Sequence, residues 1–138
     1  MTIPPLSTSV EDYLKAVFVL SRGGGIATTT DIAARLAVSA PSVSGMLRRL
    51  AEQGFVDHVP YRGVALTAAG RDAALRVIRR HRILETYLVE RLGLGWDEVH
   101  VEAERLEHAV SDRVLERMAQ ALGHPGFDPH GGPIPAAD

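Results

Sequence analysis

A mainly α-helical fold is predicted by three observations. Apolar residues recur at helical spacing along most of the chain, capping residues open and glycines close those stretches, and only one pair of short β-type runs flanks a turn. Val10, Tyr13, Leu14, Val17 and Phe18 mark the first helix, with Ser9 as its N-cap and Gly23-Gly24-Gly25 as its stop. Thr30-Asp31 opens a short second helix with Ile32, Ala33 and Leu36 inward. Ser39 caps a third, and Pro41 sits in its first turn, where a missing N–H is harmless. Val43, Leu47 and Leu50 face its core, and Gly54 closes it. Residues 55–59 and 64–67 read as strands joined through Pro60-Tyr61-Arg62-Gly63. Thr67 caps a long fourth helix that runs to about Leu92 and ends at Gly93-Leu94-Gly95. A fifth helix is expected over residues 96–109, with Val99, Ala103, Leu106 and Val110 inward, and a sixth, capped by Ser111, to about residue 122. The Gly- and Pro-rich remainder reads as an irregular tail or linker.

Helix, helix, helix, hairpin is the order of a winged helix-turn-helix. The expected organisation is such a domain over residues 1–72, followed by an all-helical domain over 73–138. The 138 residues suffice for a modest core, and 46% hydrophobic with 23% charged residues is ordinary for a globular chain. The start lacks a basic region followed by an apolar one, and no apolar run is long enough to span a bilayer. With no cysteine there are no disulfides and no thiolate metal ligands. A cytoplasmic protein with no membrane association is expected. The net charge of −2 is divided unevenly, +1 over residues 1–72 and −3 over 73–138. Contact with nucleic acid would therefore depend on local placement and on pairing of two chains, not on bulk charge.

The outward residues of the third helix are Ser39, Pro41, Ser42, Ser44, Gly45, Arg48 and Arg49. Small hydroxyls at a helix N-terminus can approach phosphates, because the free N–H groups there favour anions. Small side chains can also touch thymine methyls in a major groove. Arg48 and Arg49 suit phosphates, and Arg62 at the hairpin tip suits a narrow minor groove. Taken alone, the same helix is a solvated helix with a serine cap; the complete helix–helix–helix–hairpin order favours binding of double-stranded DNA.

The second half carries a different signal. His100-x-x-x-Glu104-x-x-Glu107-His108 and His81-x-x-x-Glu85 have spacings that put side chains on one helical face. Imidazole and carboxylate together form a nitrogen and oxygen ligand inventory for a divalent metal. Each residue also has a plain structural reading. His81 shares its face with Val77, Ile78 and Leu84, as a core histidine would; Glu85 can pair with Arg82 or Arg105; Glu104 and Glu107 can form a solvated face. The joint occurrence favours a cation, since like charges at these spacings destabilise a helix by a few tenths of a kcal/mol per pair. No His-Glu-x-x-His motif and no nucleophile constellation is present, so an enzyme is not expected.

The chain resembles the metal-dependent repressor family that includes the diphtheria toxin repressor and the manganese transport regulators. The resemblance covers almost its whole length. It rests on Glu11-Asp12-Tyr13-Leu14, Ser39-x-Pro41-Ser42-Val43-Ser44, Leu66-Thr67-x-x-Gly70-Arg71, Arg80-His81-Arg82 with Leu84, Glu85 and Tyr87, Glu107-His108-x-x-Ser111-Asp112, and Gly132-Pro133-Ile134-Pro135. It implies a primary metal site of Asp12, Glu104, Glu107 and His108 and an ancillary site of His81, Glu85 and His100. Iron-type members have Met and Cys where this chain has Asp12 and Glu104, and carboxylates favour a harder ion, so Mn²⁺ is expected, with Fe²⁺ as the alternative. Manganese-type members have a further carboxylate where this chain has Lys15, and iron-type members have Gln where it has Gly45. Many iron-type members add an SH3-like domain that completes the ancillary site; this sequence ends where that domain would begin.

The expected function is that of a homodimeric, Mn²⁺-responsive transcriptional repressor controlling metal homeostasis through a palindromic operator. Ligands drawn from both halves would fix the angle between them, and hence the spacing of paired recognition helices. An iron-responsive repressor of the same family, or a winged-helix regulator whose His/Glu cluster is purely structural, are the alternatives. Apolar residues on the fifth and sixth helices, namely Trp96, Val99, Leu106, Val110, Val114, Leu115 and Met118, mark the expected dimer surface.

Overall fold

The computed structural model describes residues 6–22 and 24–137. It is mainly helical: α1 (Thr8–Leu20), α2 (Thr29–Leu36), α3 (Ala40–Glu52), β1 (Val56–Val59), β2 (Gly63–Leu66), α4 (Ala68–Leu92), α5 (Trp96–Leu106) and α6 (Asp112–Ala121). Two compact units are present, Met1–Ala74 and Leu75–Asp138, and α4 begins in the first and continues through the second.

The first unit is the winged helix-turn-helix. Its core gathers Tyr13, Leu14 and Val17 of α1, Ile32 of α2, Val43, Met46, Leu47 and Leu50 of α3, Val56 and Val64 of the hairpin, and Ala73 and Ala74 of α4. A serine or threonine oxygen accepts from a backbone N–H at each helix start. Ser7 accepts from Val10, Thr28 from Asp31, Ser39 from Ser42, and Thr67 from Gly70. The first helix thus begins at Ser7 and not at Ser9, because Ser7 has the extended backbone of a cap while Ser9 is already helical. Likewise Thr28 opens α2 ahead of the expected Thr30-Asp31. Gly23 of the expected stop lies outside the described residues.

β1 and β2 pair antiparallel with Val56 opposite Leu66 and Val59 opposite Gly63. Ala27 adds a bridge to this ribbon, exchanging two 2.9 Å backbone hydrogen bonds with Val64. That approach explains Gly63, which has φ +139°; a Cβ there would lie 2.1 Å from the Ala27 carbonyl oxygen.

The second unit has its own core of Ile83, Leu84 and Leu88 on α4, Val99 and Ala103 on α5, and Leu115 and Ala119 on α6. Val99 and Leu115 are therefore interior residues and not part of an outer apolar face. Ser111 caps α6 by accepting from Val114, and Glu98 of α5 accepts from the Gly95 N–H. The Gly- and Pro-rich tail has neither helix nor strand, but it is no free linker. Ile134 packs on the core, Phe127 bridges to Pro133, Arg79 donates to the Pro135 carbonyl at 2.8 Å, and Arg82 donates to the Pro133 carbonyl. Arg79 also pairs with Glu116 of α6 at 2.7 Å.

Two glycines in helices should respond oppositely to alanine. A Cβ on Gly70 would sit 2.0 Å from the Phe55 carbonyl oxygen, whereas one on Gly45 meets nothing within 4 Å. Gly70→Ala should destabilise the first unit by about 1–3 kcal/mol through overpacking. Gly45→Ala should stabilise it by about 0.5–1 kcal/mol through helix propensity. Urea denaturation of both variants checks the pair, and equal signs would contradict this packing.

Candidate metal centre and nucleic-acid interface

The i,i+4 spacing on α4 puts His81 and Glu85 side by side, both buried, with His81 Nε2 2.9 Å from Glu85 Oε1. α5 brings His100 alongside, its Nδ1 3.1 Å from His81 Nε2. One ligating atom from each of His81, Glu85 and His100 lies within 4.8 Å of the others. At the C-terminal cap of α5, Glu107 is 1% exposed and its Oε2 lies 2.8 Å from His81 Nδ1. A carboxylate on the remote nitrogen of a ligating imidazole fixes ring orientation, and that is Glu107's geometry toward His81. The other oxygen of Glu107 lies 3.6 Å from His108 Nε2.

A divalent cation fits the His81, Glu85 and His100 set on two counts. The donors are nitrogen and oxygen at separations that one ion spans. Glu85 Oε2 is also buried without a hydrogen-bond partner among the described residues, an arrangement that is costly unless something else satisfies it. Burial is the largest influence on the Glu85 carboxyl and pushes its pKa up. The hydrogen bond from His81 and the charges of His81, His130 and His100 outweigh it, and the net shift is downward.

The remaining residues singled out in the sequence separate into groups. Glu104 is exposed on α5, 3.0 Å from His100 Nε2, and does not join the buried cluster. His108 is half-buried just past the end of α5, and Asp12 is half-buried on α1 of the first unit. Two further residues, Asp128 and His130, escaped the sequence reading because they lie in the presumed linker. The structure draws them to Glu85, with one ligating atom from each of the three within 4.8 Å of the others. The Asp-Pro-His-Gly-Gly run was the available signal, since aspartate before such a stretch makes turns.

In the first unit Ser39, Pro41, Ser42, Ser44, Arg48 and Arg49 of α3 are all exposed, as is Arg62. An open concavity of about 620 Å³ is lined by Thr28–Thr30, by Ser44, Leu47 and Arg48 of α3, and by residues 58–64 of the hairpin. Thr28–Thr30, His58 and Tyr61 are lining residues that periodicity did not single out. Tyr61, at φ +64°, is fully exposed beside Arg62. Burial raises the Tyr13 phenol pKa, and the charge of Arg49 opposes that effect.

The chain belongs to the iron-dependent repressor family. The family model of the N-terminal DNA binding domain matches residues 5–64, and that of the metal binding and dimerisation domain matches residues 67–136. The family is one of transcriptional repressors, not of enzymes. The chain is similar to the iron-dependent repressor IdeR of Mycobacterium leprae, 38% identical over 130 residues, which cover 94% of this chain and 56% of the relative. It is 35% identical over 114 residues to an uncharacterised HTH-type transcriptional regulator of Methanocaldococcus jannaschii, covering 82% of this chain and 91% of that one. A solved structure described as a manganese-dependent transcriptional repressor complex with manganese is 52% identical, with a TM-score of 0.86, over 94% of this chain and 59% of that chain. The chain thus spans little more than half the length of the repressor from Mycobacterium leprae and of the solved manganese complex.

A lowered carboxyl pKa contributes stability above the unfolded value, and that contribution is lost as pH falls through the folded value. In metal-free protein, Glu85→Gln should therefore flatten the loss of stability between the ordinary value of 4.5 and the lowered one. Denaturation at a series of pH values in the presence of chelator checks this. Identical acid dependence in parent and variant would show that the histidines do not hold Glu85 ionised.

Proposed function

We propose that this chain is a divalent-metal-dependent DNA-binding repressor, with Mn²⁺ as its ion and a palindromic operator bound by a homodimer. The observation that carries the metal part is the His81–Glu85–His100 cluster, in which His81 and Glu85 are buried and one Glu85 oxygen has no hydrogen-bond partner among the described residues. Support for Mn²⁺ comes from the oxygen- and nitrogen-only ligand inventory, which lacks cysteine altogether, and from the 52% identity to the manganese-dependent repressor. The similarity to iron-dependent repressors keeps Fe²⁺ as the second reading. The set implied by resemblance, Asp12, Glu104, Glu107 and His108, enters the proposal as the primary site. A bound cation supplies the positive charge that offsets repulsion among these carboxylates.

The DNA part is supported by α3. Its exposed N-terminal serines and Pro41 meet the small-residue requirement of close approach to bases or phosphates, and Arg48, Arg49 and Arg62 supply charge. Metal and DNA affinities are reciprocally linked, so metal raises operator affinity by the same factor as operator raises metal affinity. The work of such a protein is cytoplasmic, where bacterial and archaeal DNA is found. Exposed Trp96, Val101, Leu106 and Val114 support pairing of two chains through α5 and α6.

Fluorescence anisotropy with duplexes selected from a randomised palindromic pool tests this reading, using Mn²⁺, Fe²⁺ or chelator. High-affinity binding should need metal and be stronger with Mn²⁺. Asp12→Ala and His108→Ala should lose the metal response, and a parental response from Asp12→Ala would remove Asp12 from the ligand set. Arg62→Ala should weaken binding to every sequence and reduce the salt slope by about one unit per lost phosphate contact. Unchanged affinity and slope would take the wing off the DNA. Sedimentation at micromolar concentration should give a dimer and, for Val114→Glu, a shift towards monomer; a monomeric parent with and without metal would end the dimer reading.

A further inference from the structure

We propose that Tyr61 is a specificity-determining residue of the DNA-binding unit: its ring enters the minor groove next to the major groove that α3 reads, and its phenol selects an A·T pair there. The inference rests on the DNA-binding reading above and deepens it, from a cationic wing that holds phosphates to a wing that reads a base pair.

The turn that carries Tyr61 is built at a cost. Pro60 and Tyr61 are its central residues, and the Arg62 N–H closes it by donating to the Val59 carbonyl at 3.0 Å. Proline fixes a negative φ at the first of them, and Tyr61 follows at φ +64°. That is a type II turn, whose second central position suits glycine or asparagine and strains a bulky side chain. Tyr61 is nonetheless fully exposed, so packing within the protein does not offset the strain. The register of the ribbon does not call for a ring at this point either, since Val59 and Gly63 pair through their backbones. A strained, solvent-facing aromatic residue on a DNA-binding surface points to contacts made with the ligand.

Its position gives the groove. The concavity of the first unit has α3 on one side, at Ser44 and Arg48, and the hairpin on the other, at His58, Tyr61 and Arg62. Two guanidinium groups and an imidazole around an open trough suit the phosphates of one DNA strand. With α3 in the major groove and that strand in the trough, the hairpin tip reaches the far side of the strand, which is the minor groove. There A·T and T·A pairs both present only acceptors, adenine N3 and thymine O2, whereas G·C adds the guanine 2-amino donor. The phenol O–H of Tyr61 donates to those acceptors, and the amino group obstructs it. Arg62 beside it favours the same sequences, since A·T tracts narrow the groove and strengthen its negative potential.

The test uses the full chain with the divalent ion that supports binding. Duplexes are selected from a randomised pool by the parent, by Tyr61→Phe and by Tyr61→Gly, and their affinities are measured by fluorescence anisotropy. At one position flanking each half-site, the parent should prefer A·T over G·C by about ten-fold. It should distinguish A·T from T·A there only weakly. Replacing guanine at that position by inosine, which lacks the 2-amino group, should restore the A·T affinity. Tyr61→Phe, without the donor, should lose most of this preference and keep the rest of the operator. Tyr61→Gly should lose the preference and bind every duplex more weakly. Its melting temperature should be no lower than the parent's, because glycine relieves the turn. Parental preference in Tyr61→Phe would overturn the proposal, as would a preference that inosine leaves unchanged. A parent that binds no duplex selectively sinks the DNA-binding reading as well.

Discussion

Much of the second unit is organised around one electrostatic problem, a carboxylate at position 85 that is 3% exposed. Moving an ionised carboxylate into a protein interior costs several kcal/mol unless charge and hydrogen bonds compensate. Helix α4 supplies His81 one turn earlier, α5 supplies His100, and the tail supplies His130. Glu107 in turn braces His81 from the other ring nitrogen. These residues are far apart in sequence, so the cluster can form only if α4, α5 and the tail are packed together. The apolar contacts of Ile83, Leu84, Val99, Ala103 and Ile134 around it provide that packing. Core and polar cluster therefore specify the same arrangement, which is the consistency expected of a sequence that encodes one fold.

The division of labour between the units follows from composition. In the first, Glu11 apart, charge is carried on surfaces, at Arg48 and Arg62 among others, over an apolar core. In the second, charge is taken inside. The first unit can therefore tolerate substitution of an exposed serine that caps no helix, such as Ser44, with little effect on folding. The second cannot lose one member of its polar cluster without leaving another unsatisfied. His81→Ala, for example, removes the imidazole that lies 2.9 Å from Glu85 and 2.8 Å from Glu107.

What was legible in the sequence was local. The Ser39 cap, Pro41 in the first turn and Gly54 after the last set the limits of α3, because each acts on backbone within a few residues. The His81–Glu85 pair was legible for the same reason. The cap of α1 is Ser7 and not the expected Ser9, because both are serines beside one apolar run and only the backbone conformation decides between them. The tail was misread because its order comes from Arg79, Arg82 and Ile134 reaching across the unit, and no periodicity records such contacts. The Glu107–His81 contact spans twenty-six positions and was invisible for the same reason, although both residues were singled out separately.

The bridge between Ala27 and Val64 has a consequence for how such a protein can change its preferences. Two backbone bonds tie Val64, near the turn end of the ribbon, to the segment entering α2, and neither depends on what Tyr61 or Arg62 happens to be. The tip can therefore accumulate substitutions while the ribbon keeps its heading. Evolution can rewrite that fingertip one letter at a time without re-engineering the hand.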